Sequence, residues 1–260
     1  MRTPLSVALV AALLYPPVAI VSTSLPWTDS ELTAHALVLG PTGFPNPGEG
    51  YLDAAQKYLD AAAAFHGEDA PTDLESFYTP EQNTNDSYER GLDLLEQEVL
   101  GQYHSGEISA DDPLYIFGYS QSATIASEAM QAFRDEGIPQ DYLRFVLIGN
   151  AAEPDRGFMG LWEELVRLFG FDNPAGVVTP TDYYQTDSYV IEGDNWADAA
   201  SSPWPGLSSL QHLEYLGLDP EQIAGADDIV LGPEFTEHFI ATVDIDNPLQ
   251  ALFDAFMAMW

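Results

Sequence analysis

The chain has 260 residues, 46% of them hydrophobic, enough for one large core and too few for two comfortable domains. Cysteine is absent, which excludes disulfides and any cysteine-based metal site. Seven basic residues face 42 acidic ones, and the formal net charge of -35 repels nucleic acid and anionic membranes, excluding both as primary partners. The acids are scattered along the chain, as on a solvated globular surface.

Arg2 and Thr3 are followed by "PLSVALVAALLYPPVAIV", and no further charge occurs until Asp29. One positive charge before an apolar run of this length resembles an export signal over residues 1–22. Pro16 and Pro17 break a helix late in the run, which suits a signal better than a span. A retained membrane anchor and a buried first helix are the other readings. A single domain over residues 23–260 then follows.

Ala36 to Leu39 is a short β-leaning run ending in the turn-rich "GPTGFPNPGEG". Helical spacing of apolar residues predicts helices over 51–65 and 87–103, separated by a polar loop over 67–85. "PLYIFG" (113–118) reads as a strand, and residues 121–137 as a helix closed by Gly137 and Pro139. "LRFVLIGN" (143–150) and "SYVIEGD" (188–194) read as two further strands. Between them, residues 151–182 carry a short apolar helix from Gly160 to Phe169, read either as sheet packing or as a cap on the substrate side. Strands alternating with helices predict an α/β fold, a mostly parallel central sheet with helices on both faces.

"FGYSQSATIA" (117–126) runs strand, Gly-x-Ser-x-small, helix. That is the pattern of the nucleophile elbow of α/β-hydrolases, which lifts a serine above the sheet at a helix N-terminus. Gly118 makes room for the strained backbone at Ser120, and the small Ser122 lets helix and strand pack closely. With 20 glycines a Gly-x-Ser arises by chance, and a second occurs at Gly206-Leu207-Ser208. That one follows Pro203-Trp204-Pro205 instead of a strand, so context selects Ser120. A helix-capping serine is the plainer reading. In this architecture the backbone N–H of Gln121 supplies one oxyanion donor, and the loop after the first strand supplies the other. Thr42 or Gly43 in "GPTG" fits the second donor, unless the stretch is only a turn.

"VLGPTGFPNP", "YIFGYSQSATIAS", "FVLIGN" and "LDPEQIAG" together resemble the PE-PPE domain, a cutinase-like serine hydrolase family of actinobacteria. The similarity runs from about residue 36 to residue 250. Ser122 replaces the usual last glycine of the elbow, as is common in that family. The resemblance implies a module that follows an export-like segment directly, without the helical PE or PPE leader. It implies an α/β-hydrolase of cutinase-like form acting on acyl esters, or moving acyl groups among cell-envelope lipids.

Chain order in this architecture is serine, acid, histidine. Asp194, after the strand in "YVIEGDNWADAA", is the expected acid, and it also resembles the family's acid segment; Asp198 is the alternative. Of His35, His66, His104, His212 and His238, only the last two follow it. The interval from His212 to "PEQIA" resembles the family's catalytic histidine segment, although Leu213 stands where the family often has glycine. His238 in "PEFTEHFIATV" has the surroundings of a packed strand or helix end, and "SLQHLEYLG" also reads as a plain amphipathic helix.

The expectation is therefore a secreted or envelope-associated serine esterase or lipase using Ser120, His212 and Asp194, with oxyanion donors at Gln121 and Thr42. Such chemistry needs no metal or organic cofactor, and its partner is an acyl ester or lipid. Acyl transfer and a non-catalytic envelope-binding module are the rival readings.

Overall fold

In a computed structural model the described residues are 34–168, 170, 174–201 and 210–241. The expected export segment 1–22 and the Gly206-Leu207-Ser208 motif lie outside them. Among the described residues no helix is long and apolar enough to cross a membrane.

Five strands run parallel, with β2 at one edge: β1 (His35–Leu39), β2 (Asp73–Phe77), β3 (Leu114–Tyr119), β4 (Leu143–Ile148) and β5 (Gln185–Ile191). β7 (Phe235–Ile240) continues the parallel sheet beyond β5, and β6 (Asp227–Gly232) closes that edge as an antiparallel neighbour. The order across the sheet is β2-β1-β3-β4-β5-β7-β6. β2 lies within residues 67–85, where a loop is predicted; only its two intermediate positions, Leu74 and Phe77, are screened from solvent. An edge strand held mainly by backbone pairing to β1 gives little apolar alternation to read. The β6–β7 hairpin is likewise an addition to the elements read from sequence.

Three long helices cover the sheet. α1 (Glu49–His66) lies on one face; α2 (Asn85–Ser105) and α3 (Gln121–Asp135) lie on the other. The strand period of two assigns the side chains. Tyr115, Phe117 and Tyr119 of β3 join Tyr51, Tyr58 and Leu59 of α1. Leu114 and Ile116 join Leu95 and Val99 of α2 and Ala126, Met130 and Phe133 of α3. Each fully buried large apolar side chain contributes roughly 1.5–3 kcal/mol. Glycines at positive φ stop α1 at Gly67 and α2 at Gly106.

The apolar stretch expected as one helix over Gly160–Phe169 is two short pieces, α4 (Phe158–Leu161) and α5 (Glu163–Leu168), broken at Trp162. Phe158 and Val166 form a small cluster with Ala199, against which Leu165 and Trp196 pack. After residue 210 come α6 (Gln211–Glu214), a 3-10 turn at Tyr215–Gly217, and α7 (Pro220–Ala224), whose Asp219 and Gln222 cap each other reciprocally.

β1 has β2 on one side and β3 on the other, so the chain reverses its direction of travel across the sheet between them. Crevices that bind ligands form at such switch points, outside the carboxyl ends of the strands. Thr42 follows β1 and Ser120 follows β3, so both sit at this point. A parallel sheet covered on both faces, with a serine on the β3–α3 turn, is the α/β-hydrolase architecture.

That turn depends on contact between backbones. A Cβ on Gly118 would stand 2.8 Å from both the Cα and the N of Ala123, and 2.9 Å from the Ser122 carbonyl oxygen. Glycine here thus admits the first turn of α3 itself, rather than freeing the backbone of Ser120. Gly118→Ala is expected to destabilise the fold by about 1–3 kcal/mol through overpacking. Urea unfolding measures this, and an unchanged midpoint would show that α3 does not press on β3.

Candidate active site

Ser120 begins at its backbone. Its φ of 58° and ψ of -115° place a non-glycine residue in sparsely allowed territory. Such strain persists only when the surroundings enforce it, and four contacts do so here. The Ser120 N–H donates to the Ile148 carbonyl at 3.0 Å, tying the turn to the end of β4. Ser122, fully buried, accepts from the Tyr119 N–H at 2.9 Å. Its hydroxyl in turn has the Tyr119 and Leu39 carbonyls at 3.1 and 3.3 Å. A glycine at 122 has no such group, so the serine there stitches β1 to β3 beneath the turn.

His212 Nε2 lies 2.8 Å from Ser120 Oγ. Its Nδ1 lies 2.9 and 3.0 Å from the two oxygens of Asp194. The structure therefore brings Ser120, His212 and Asp194 into one line of hydrogen bonds. Asp194 is fully buried. Burial alone would raise its pKa. The His212 charge and bond, the Trp196 N–H and the Tyr215 hydroxyl outweigh burial and hold it below the usual carboxylate range.

β5 ends at Ile191, three residues earlier than the strand read over 188–194, and a tight turn carries Asp194. Gly193 takes φ 80°, and the Asp194 N–H returns to the Ile191 carbonyl at 3.0 Å. Asp198, the alternative acid, does not face His212. It accepts from the Gly193 N–H at 3.0 Å and from Arg156 at 3.3 Å, so it supports the turn that bears Asp194.

Four tyrosine and glycine positions complete the frame, and none stands out in the sequence. The Tyr215 hydroxyl donates to Asp194 Oδ2 at 2.9 Å and accepts from the Ile191 N–H at 3.0 Å. Tyr58 of α1 donates to the Tyr215 carbonyl at 2.6 Å, and Tyr119 donates to the His212 carbonyl. Gly149 at φ 55° leaves the space in which the His212, Tyr119 and Tyr215 rings meet; a Cβ there would lie 3.0–3.1 Å from all three. The one available signal for Tyr215 is its place three residues after His212, on one side of a helical turn.

The oxyanion candidates also converge. Thr42 Oγ1 donates to Gln121 Oε1 at 3.0 Å, and Gln121 Nε2 donates to the Gln82 carbonyl at 3.2 Å. Gly43 is excluded as the donor, because its N–H is spent on the Glu81 carbonyl at 2.7 Å. Among the described residues, the backbone N–H groups of Thr42 and Gln121 make no internal hydrogen bond.

The remaining histidines lie elsewhere. His238 on β7 sits between Asp187, at 2.9 Å, and Asp228, at 2.7 Å, and stacks on Tyr189. His66 also bonds Asp187, at 3.0 Å. His35 bonds Gln102 at 2.9 Å at the start of β1, the end of the sheet opposite the serine. His104 is exposed in the last turn of α2. Among the described residues no group of three or more His, Asp or Glu side chains is placed to hold a metal ion.

Behind the Asp194 turn lies a buried acid cluster. Arg156 pairs with Glu237 at 3.1 Å and Asp198 at 3.3 Å, while Glu153 accepts from the Ser188 hydroxyl. Burial, and then the neighbouring Glu237, push the Glu153 carboxyl well above its ordinary range, so folding favours its protonated form. A group that binds its proton more tightly when folded loses stability as pH rises above its unfolded value, near 4.5. Glu153→Gln is therefore expected to raise the melting temperature at pH 8 and to leave it little changed at pH 4. Melting curves across that range test this, and a uniform loss at every pH would contradict it.

Residues 67–213 match the PE-PPE domain. An uncharacterized PPE family protein of Mycobacterium tuberculosis, PPE28, is 30% identical over 231 residues, covering 78% of this chain and 33% of that one. The PE family protein PE3 of the same organism is 26% identical, covering 82% of this chain and 48% of that one. The chain thus spans about a third to a half of the length of these relatives. A cutinase-like protein from Cryptococcus sp. superposes with a TM-score of 0.47 at 18% identity, over 71% of this chain and 86% of that one. With its elbow, switch point and matching residues in place, the chain belongs to the PE-PPE domain family.

Proposed function

We propose that the protein is a serine esterase that cleaves acyl esters through a covalent acyl-enzyme. The observation that carries this reading is the unbroken line Ser120 Oγ, His212 Nε2, His212 Nδ1, Asp194, built on a strained strand-to-helix turn. In this reading Ser120 Oγ attacks the ester carbonyl while His212 Nε2 takes its proton. The same proton then goes to the leaving alkoxide, releasing the alcohol. Asp194, ionised, holds the imidazole in the tautomer with Nδ1–H and stabilises the imidazolium without accepting a proton. The N–H groups of Thr42 and Gln121 face the oxygen on which negative charge develops, helped by the N-terminus of α3. Water, deprotonated by His212, attacks the acyl-enzyme and releases the acid.

Four variants, each checked for folding by circular dichroism, test the assignment with a short acyl ester. Ser120→Ala and His212→Ala are expected to lower kcat by on the order of a million-fold. Asp194→Asn is expected to lower it about ten-thousand-fold by favouring the wrong histidine tautomer. His238→Ala is expected to leave kcat close to that of the parent, because its partners are Asp187 and Asp228. Undiminished turnover in a folded His212 variant would remove the reading, and a parent protein inert toward ester and fluorophosphonate alike would favour a non-catalytic module.

A further inference from the structure

Glu81 is a buried acid whose carbonyl binds the residue after Thr42, and the proposed chemistry leaves it unused. It is 1% exposed, and its backbone takes φ 50°, where a non-glycine residue is strained. Its carbonyl accepts from the Gly43 N–H at 2.7 Å. Its side chain is anchored at Oε1 by the Thr79 hydroxyl at 2.5 Å, while Oε2 has no hydrogen-bond partner. The next residue, Gln82, accepts from Gln121, and Gln121 accepts from Thr42. These contacts close a ring around Thr42: Gly43 to Glu81, Gln82 to Gln121, Gln121 back to Thr42.

Resting on the esterase reading, we propose that Glu81 is the positioning residue of the oxyanion pocket. Its anchored side chain holds a strained backbone that directs two adjacent carbonyls, one to each side of the pocket. The Glu81 carbonyl draws the Gly43 N–H away and so fixes the plane of the peptide that follows Thr42. The Gln82 carbonyl orients the Gln121 amide, which takes the Thr42 hydroxyl and leaves both backbone N–H groups for the developing oxyanion. Without the anchor, the left-handed backbone at position 81 relaxes and both carbonyls turn.

The same side chain carries a pH dependence. Burial pushes its carboxyl up to about 7, against the lowering effect of the Thr79 bond. The ionisable groups around it are the Tyr51 hydroxyl of α1, which donates to Leu39, and the Tyr88 hydroxyl of α2, which donates to Glu128 of α3. Among the described residues no basic side chain pairs with it. Above pH 7 a carboxylate therefore stands behind the pocket, opposing the charge that develops there. Glutamine can keep the Thr79 contact and stays neutral.

The test compares the parent with Glu81→Gln and Glu81→Ala for kcat, KM and inhibition by an alkyl boronic acid, which forms a tetrahedral anionic adduct on the serine. Glu81→Ala is expected to lower kcat by roughly 10–100-fold with KM unchanged, part of the effect of losing an oxyanion donor. Boronate binding should weaken in proportion. Glu81→Gln is expected to keep kcat at pH 6 and to lack the parent's decline above pH 7. A folded Glu81→Ala variant with parental kcat would overturn the proposal. If that variant does not fold, an identical alkaline decline in Glu81→Gln would overturn it instead. Ser120→Ala is assayed alongside: activity that survives it overturns the esterase reading and this proposal together, whereas Ser120-dependent activity indifferent to position 81 overturns this proposal alone.

Discussion

The reversal of the chain at Ser120 is the constraint on which the rest of the site depends. A residue at φ 58° and ψ -115° is not a comfortable way to join a strand to a helix. It holds here because Gly118, the penultimate residue of β3, has no Cβ to keep α3 away, and because the Ser122 hydroxyl occupies the space beneath the turn. The result is a serine lifted clear of the sheet with a helix N-terminus beneath it. Every other part of the site is placed relative to that atom. Directly after β4 comes Gly149, without a Cβ, which leaves room for the His212, Tyr119 and Tyr215 rings to meet. β5 supplies the turn of Asp194, and α1 reaches through Tyr58 to the segment that carries His212.

A chain with so many carboxylates must also keep negative charge from working against its own chemistry. The acid line ends on a carboxylate whose hydrogen bonds to His212, Trp196 and Tyr215 favour its ionised form despite complete burial. Where acids crowd behind it, one arginine is shared between Glu237 and Asp198, and burial favours the protonated form of Glu153. In the proposed reaction, backbone N–H groups, rather than basic side chains, meet the developing oxyanion. Such preorganised dipoles stabilise charge without reorganising during the reaction.

Local patterns carried much of this in the sequence. "YIFGYSQSATIA" is legible because a buried strand, a glycine and a small-residue helix each leave their own signature, and the structure reproduces all three. Residues 143–150 read as a strand for the same reason, and β4 occupies Leu143–Ile148 of them. Asp194 is reached through its place directly after a strand, and Asp194 and His212 both through chain order and the family resemblance, since residue type alone does not separate one Asp among many acids from another. The sequence leaves open Asp194 against Asp198, His212 against His238, and Thr42 against Gly43. Long-range hydrogen bonds separate the members of each pair: Arg156 and the Gly193 N–H engage Asp198, Asp187 and Asp228 engage His238, and the Glu81 carbonyl takes the Gly43 N–H. Tyr215, Tyr119 and Glu81 were illegible because their roles arise from contacts between segments far apart in the chain. β2 escaped notice because backbone pairing to β1, more than apolar burial, makes it a strand.

The central claim is that Ser120 carries the acyl group during turnover. Rapid acid quenching of the protein during hydrolysis of an activated acyl ester, followed by peptide mass spectrometry, tests it directly. The account predicts one added acyl mass, with loss of water in the linkage, on the peptide containing Ser120, absent from the Ser120→Ala protein. Turnover with the acyl mass on another residue, or no acylation under conditions in which deacylation has been slowed, would contradict it.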